Sequence, residues 1–446
     1  MKEKVFVSIV TLLFSGYCLG QESLSLQQCR DLAIKNNKEL KESADQIIIA
    51  DQNRKAAFTK YFPNVSANGV YIWNQKNLDL IDYGALGIVG DIIPQGVRDM
   101  TTLDIQNIWI GSLSLVQPVF MGGKIIAYNQ IMASAKAIAE NQHNLSLQKL
   151  IYKTDEVYWQ IVSLANKKEL TDHYVSLLTK MDNDVQAMMD EGVATKADGL
   201  SIKVKLNEAE MAQTKVANGL ALSRMLLAQL CGLDLNGSIT LKDEKMDALK
   251  TISDVSTEVN MNQIYRDRLE LKSLDLLKNI YKKKEAIALA DELPNLSLMA
   301  NYLTTNPNSF NGYKNKFGGF FNVGFILRVP LSGWWEGHYK KKAAHVQRHI
   351  AELQIQDTQE KIELQVSQSV YKIKEATKKV IASERNQSKA EENLRTANYG
   401  FKEGVIPVIN LMAAQTAWMS ARSDLIDARI ELRLAEVYLM KAKGTL

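Results

Sequence analysis

The stretch Phe320-Phe321-Asn322-Val323-Gly324-Phe325-Ile326-Leu327-Arg328-Val329 reads as a strand with two unlike faces. In an extended chain, side chains two residues apart share a face. Phe321, Val323, Phe325, Leu327 and Val329 make one apolar side, while Phe320, Asn322, Gly324, Ile326 and Arg328 make the other. This length and period match a membrane-barrel strand, apolar outward and more polar inward. Leu296, Leu298, Ala300 and Tyr302 repeat the pattern opposite Ser297, Met299 and Asn301. The segments 64–73 and 108–117 are earlier counterparts, with Tyr71 and Trp73 placed as interfacial aromatics would be. A half-buried hairpin in a soluble domain alternates in the same way, so each strand alone leaves both readings open.

Together the strands are more demanding. Expected at 64–73, 108–117, 295–304 and 320–329, they are too few to close a barrel. Open sheet edges are not tolerated in lipid. The membrane reading therefore requires several copies of the chain to share one barrel.

The strands belong to a duplicated unit. Phe62-Pro63-Asn64 is answered by Leu293-Pro294-Asn295, 231 positions on. Gln117-Pro118 is answered by Val329-Pro330, and Glu191-Gly192-Val193 by Glu403-Gly404-Val405, both at an offset of 212. The change of offset puts 19 extra residues into one loop, between the first two strands. That loop holds Gly84-Ala85-Leu86-Gly87-Ile88-Val89-Gly90, which comes after no strand-to-helix turn and lacks the Lys-Ser/Thr of a nucleotide loop.

Helix-compatible sequence then runs unbroken over 124–190 and 336–402, roughly 100 Å each at the rise of an α-helix. Leu170, Tyr174, Leu177, Met181, Val185 and Met188 fall at three-and-four spacing, which suits side-by-side helix packing. Each rod ends at a glycine, Gly192 or Gly404, and a shorter helix comes next over 196–230 or 407–443. Thr195 with Asp198 has the form of a capping box, and Pro407 suits a first helical turn. The fold class expected on the membrane reading is mainly α with transmembrane β. A signal peptide over 1–20 precedes one repeat at 21–231, with helices within 24–62. A linker at 232–258 leads to the second repeat at 259–446.

Composition sets the bounds. The 446 residues are 46% hydrophobic and 23% charged, so the chain is not a disordered tail. A net charge of +4, with interleaved signs, offers no stripe for nucleic acid. The charged start Met1-Lys2-Glu3-Lys4, the apolar run 5–14 and the small residues before Gln21 read as a secretory signal. Acylation at Cys18 is the rival reading. Cys29 and Cys231 remain afterwards, as buried thiols or as a pair.

These features resemble the TolC-like outer-membrane efflux proteins. The likeness lies in Gln117-Pro118-Val119-Phe120-Met121-Gly122-Gly123, in Glu191-Gly192-Val193-Ala194-Thr195-Lys196-Ala197-Asp198 and in Glu403-Gly404-Val405-Ile406-Pro407-Val408-Ile409-Asn410. The resemblance implies a homotrimer with a twelve-stranded barrel and a periplasmic helical tunnel. It also implies a periplasmic adaptor and an inner-membrane pump, of the RND or ABC type, as partners, with outer-membrane lipid around the barrel. Gly192, Thr195, Gly404 and Pro407 would be adaptor-contacting tips, Asp198 and Asn410 the pore constriction, and Phe321, Val323, Phe325 and Leu327 lipid-facing. Such proteins often carry acidic residues at the constriction in the second half. Here Asn410 and Ala413 stand in that region, leaving Asp198 as either a carboxylate ring or a helix-capping charge.

His338, His345 and His349 share one helix face, with the last two at metal-compatible spacing; solvated histidines have the same spacing. No nucleophile, paired-carboxylate or metalloprotease motif stands out, and no cofactor is expected. Two readings remain: an export duct, and a periplasmic coiled-coil scaffold with soluble hairpins.

Overall fold

In the computed structural model, residues 23–237, 239–245 and 258–446 are described. The expected signal segment with Cys18, and residues 238 and 246–257 of the expected linker, lie outside them. The helices are α1 (Leu26–Asn36), α2 (Lys38–Phe58), α3 (Ile88–Asp91), α4 (Gln95–Thr101), α5 (Lys124–Asp190), α6 (Lys196–Cys231), α7 (Met261–Asp267), α8 (Leu269–Ala290), α9 (Gly333–Lys402) and α10 (Val408–Lys443). The strands are β1 (Asn64–Trp73), β2 (Leu78–Asp79), β3 (Thr102–Leu103), β4 (Asn107–Phe120), β5 (Asn295–Asn306) and β6 (Gly318–Arg328).

Two compact units result, and they are not the two sequence repeats. One comprises the described residues up to Ser43, His143–Leu269 and Gln359–Leu446; the other comprises Ala44–Gln142 and Glu270–Thr358. Each unit draws on both repeats: in one, β4 of the first pairs with β5 of the second, and in the other, Ile430 of the second shares a core with Tyr158 and Leu227 of the first. Long-range strand pairing of this kind leaves no local mark in a sequence.

The strand-bearing unit holds an antiparallel sheet in the order β1-β4-β5-β6, with β2 and β3 pairing separately. The sequence expectation ended the second strand at Gln117. Instead β4 runs through Pro118 to Phe120, with a register shift between those two residues. Pro118 has no N–H for the ladder, and a bulge is where a strand tolerates that.

The all-helical unit is centred on Cys29, Val157, Tyr158, Ile161, Val162, Leu227 and Cys231, all fully buried. Cys29 and Cys231 are free thiols, with Cys231 Sγ 3.5 Å from the Cys29 carbonyl. The helices expected within 24–62 are α1 and α2, and they meet at Asn37. Its backbone is extended, and its Oδ1 accepts from the Leu40 N–H, so it starts α2 as an N-cap. On α5 the buried stripe is Leu170, Tyr174, Leu178, Met181 and Val185, so Leu178 takes the place expected for Leu177.

Polar pins hold this core. Asp155, fully buried on α5, accepts from Arg30 Nε of α1 at 2.7 Å and from a second guanidinium nitrogen. That bond holds the Arg30 guanidinium above its ordinary pKa. Arg268 is buried where α7 meets α8, and it donates to the Ala442 carbonyl near the end of α10. Removing one partner of a buried pair costs about 3–5 kcal/mol, because the remaining charge is stranded. Arg30→Met is expected to lower the melting temperature of the purified protein sharply. Arg30→Met combined with Asp155→Leu should recover most of the loss, as read by circular dichroism.

Candidate functional site

The sheet has two chemically distinct faces. Register places Tyr71 beside Trp109, Leu113 beside Tyr302, and Tyr302 beside Phe321. Leu298 lies beside Phe325, and Ala300 beside Val323. Phe321, Val323, Phe325 and Leu327 thus share one face, each between 58 and 71% exposed. Tyr71 and Trp109 stack with centroids 4.5 Å apart at one end of this face. The opposite face carries a polar row across all four strands: Ser66, Ser114, Asn301 and Asn322. Asn301 donates to Asn322 at 3.4 Å. Among the described residues, β1 and β6 each pair on one side only.

The all-helical unit brings both glycine turns over one core. Met181, Val185, Ile202, Val408, Leu411 and Met412 form it, with Phe401 and Ile406 packed against it. The two turns are built alike. Gly192 has φ +75° and Gly404 φ +71°, a conformation that side-chain-bearing residues adopt only under strain. Val193 N–H bonds the Met188 carbonyl and Gly192 N–H that of Met189; Val405 and Gly404 repeat this on Gly400 and Phe401. These are Schellman motifs, which satisfy helix-end carbonyls.

The helices beyond the two turns start differently. Thr195 caps α6: its Oγ1 accepts from the Asp198 N–H at 3.2 Å, and its own N–H donates to Asp198 Oδ2 at 3.0 Å. The Thr195 hydroxyl also donates to Oδ2, at 2.6 Å. These hydrogen bonds, the hydroxyl first and then the backbone, hold the Asp198 carboxyl below its ordinary pKa. The cap therefore helps while Asp198 is ionised and fades as pH falls through that lowered value. Pro407 lies outside α10, as its N-cap with ψ 154°, and not in the first turn as the sequence suggested. No side chain caps that helix. Asn410, the counterpart of Asp198, is exposed in the first turn of α10.

Sequence reasoning missed Val193 and Val405. They are 71 and 76% exposed, so each turn presents an apolar side chain to solvent. The signal was the third residue of the repeated Glu-Gly-Val triplet, read only for its glycine.

His345 Nδ1 lies 3.4 Å from Glu285 and 3.2 Å from Arg348, and His349 lies 3.8 Å from Glu352. Among the described residues no group of three or more potential metal ligands is gathered. Nor is any described helix long and apolar enough to cross a membrane.

Residues 266–445 match the family model described as outer membrane efflux protein. Over its full length the chain is 20% identical to the outer membrane protein TolC of Escherichia coli strain K12, covering 87% of that protein. Among solved structures, CusC superposes with a TM-score of 0.79 at 12% identity, over 94% of this chain and 92% of CusC. The Campylobacter jejuni CmeC outer membrane channel gives 0.78 at 15% identity, over 94% and 85%. At these identities the superpositions establish the fold.

Thr195→Ala is expected to cost about 1 kcal/mol of local helix stability. Hydrogen exchange should then quicken about fivefold at residues 196–199 and stay unchanged at 408–411. Equal quickening at both starts would contradict the difference in capping.

Proposed function

We propose that this chain belongs to the outer membrane efflux proteins, whose family model matches residues 266–445, and that three copies join their sheets into one twelve-stranded barrel. The trimer acts as the exit duct of a tripartite efflux or type I secretion system. It is a passive channel of the outer membrane with a large periplasmic helical portion, not an enzyme.

The observation that carries this reading is the sheet: one face exposes Tyr71, Trp109, Leu113, Tyr302, Phe321, Val323, Phe325 and Leu327, and among the described residues neither edge strand has a second partner. Hydrocarbon accommodates the face, but an unpaired backbone group there costs several kcal/mol. Only strands from other copies remove both edges. The polar row of Ser66, Ser114, Asn301 and Asn322 then lines the lumen. A soluble scaffold would leave the apolar face in water without use.

The helices support the same assembly. Along α6, Leu200, Val204, Met211 and Leu222 lie exposed at intervals of four, seven and eleven, a seam suited to a neighbouring helix. At the tips, Gly192, Thr195, Gly404 and Pro407 shape two corners that display Val193 and Val405 to a periplasmic adaptor. Through the adaptor an RND or ABC pump supplies the energy. The duct opens by a small untwisting of the tip helices, with Asp198 and Asn410 near its narrow end. Its cargo is small molecules or protein.

The face assignment makes a sharp prediction. Val323→Arg or Phe325→Arg, on the apolar face, should cost about 2–4 kcal/mol of insertion and abolish assembly in the outer membrane. Asn322→Arg, on the other face, should be tolerated. Equal tolerance in all three, scored by membrane fractionation, would refute the lipid-facing assignment.

Export itself is tested by trimer mass in detergent and conductance in planar bilayers, together with drug susceptibility of a deletion strain. Cysteines engineered to lock the two tip turns together should abolish export, and reductant should restore it. A monomeric, freely water-soluble mature chain would overturn the proposal.

A further inference from the structure

The apolar lane of β6 does not stop at the strand. After Leu327 and the strand's end at Arg328, the exposed apolar residues Val329 and Leu331 come next in the chain, and then Trp335 in the first turn of α9, 78% exposed. Beside it Trp334 donates its indole N–H to the Glu292 carbonyl at 3.1 Å, which fixes the start of the helix. Gly337 seats this turn on the same residue. A Cβ there would collide with the Glu292 side chain, so glycine lets the helix sit close. With Gly337 and Ala344 buried, helical spacing turns Trp334, Trp335, His338 and Lys342 outward on one exposed face. Lys341 lies exposed at its flank.

The charges on this turn do not cancel. Lys340 pairs with Glu336 at 2.7 Å, and Arg348 and His345 meet Glu285. Lys341 and Lys342 have no carboxylate within ion-pair distance among the described residues. Two tryptophans at the end of an apolar lane, succeeded within two turns by two unbalanced lysines and a histidine, form a layered surface. Its order is hydrocarbon, interface, then cation.

We propose that the start of α9 is a headgroup site for anionic phospholipid in the leaflet facing the periplasm. Leu331 and Trp335 sit at the acyl boundary, while Lys341 and Lys342 hold the phosphate and the His338 ring donates to it. Indole rings favour the membrane interface, and lysines just beyond it attract anionic lipid. Lipid is the occupant because the patch continues the face already assigned to hydrocarbon. The inference rests on that assignment.

The test uses full-length protein in detergent, titrated with phosphatidylglycerol and with phosphatidylcholine and read by native mass spectrometry. Wild-type protein should bind phosphatidylglycerol preferentially. Lys341→Gln with Lys342→Gln should weaken that binding by about fivefold per lysine and leave phosphatidylcholine binding unchanged. Trp335→Ala should weaken both. The same protein is reconstituted into planar bilayers, so that the two ideas fail separately. Conducting protein that binds both lipids equally, or a lysine variant that binds like wild type, overturns the headgroup site and leaves the duct standing. Wild-type protein that neither inserts nor conducts overturns both.

Discussion

A backbone N–H or C=O in hydrocarbon has no solvent to fall back on, and this sheet ends in two strands whose outer groups meet no described partner. Most other features of the strand-bearing unit are intelligible from that constraint. The ladder is long and antiparallel, with register kept residue by residue from Asn64 to Trp73 against β4. Its irregularity, at Pro118, lies near one end of β4 and not at mid-height. Side chains divide by face, apolar on one and with a polar row on the other, as the proposed barrel wall between acyl chains and water requires. A register slip of one residue would exchange the two faces completely. The apolar surface is thus both the reason for membrane residence and the guard on strand alignment.

The all-helical unit answers to a different requirement. Every helix leaves its last four carbonyls without an intrahelical partner, and α5, α6, α9 and α10 all finish in the same way, on a left-handed glycine at 192, 232, 404 or 444. Packing supplies the rest: narrow apolar stripes interlock, with polar anchors such as Arg30–Asp155 and the Tyr158 hydroxyl on Asp243 at 2.6 Å. Burial pushes the Tyr158 phenol up, so this hydroxyl stays a hydrogen-bond donor.

Much of this was legible in the letters. Two-residue alternation placed the strands, because a pleated chain must alternate; glycine placed the rod ends, because positive φ excludes most other residues. The offset of 212 linked the two tips before any packing was known. The features that escaped depended on distant partners. The break at Asn37 is made by a side chain folding onto the Leu40 amide, and an Asn-Asn pair in a helical run does not announce it. Leu178 displaced Leu177 because a stripe drifts around a straight helix, and only the neighbouring helices decide which leucine is covered. The grouping of strands from both repeats was invisible because β4–β5 pairing spans the whole intervening chain.

The two corners at the helical tips, twins in spelling, are fastened unequally. At one, threonine and aspartate clasp each other around the opening amides of the helix; at the other, a proline merely sets the entry angle. Thermal agitation will loosen the unclasped corner more often than the clasped one. In the proposed duct, an aperture built from both corners therefore has one fixed jamb and one swinging leaf, although the two share the same Glu-Gly-Val spelling.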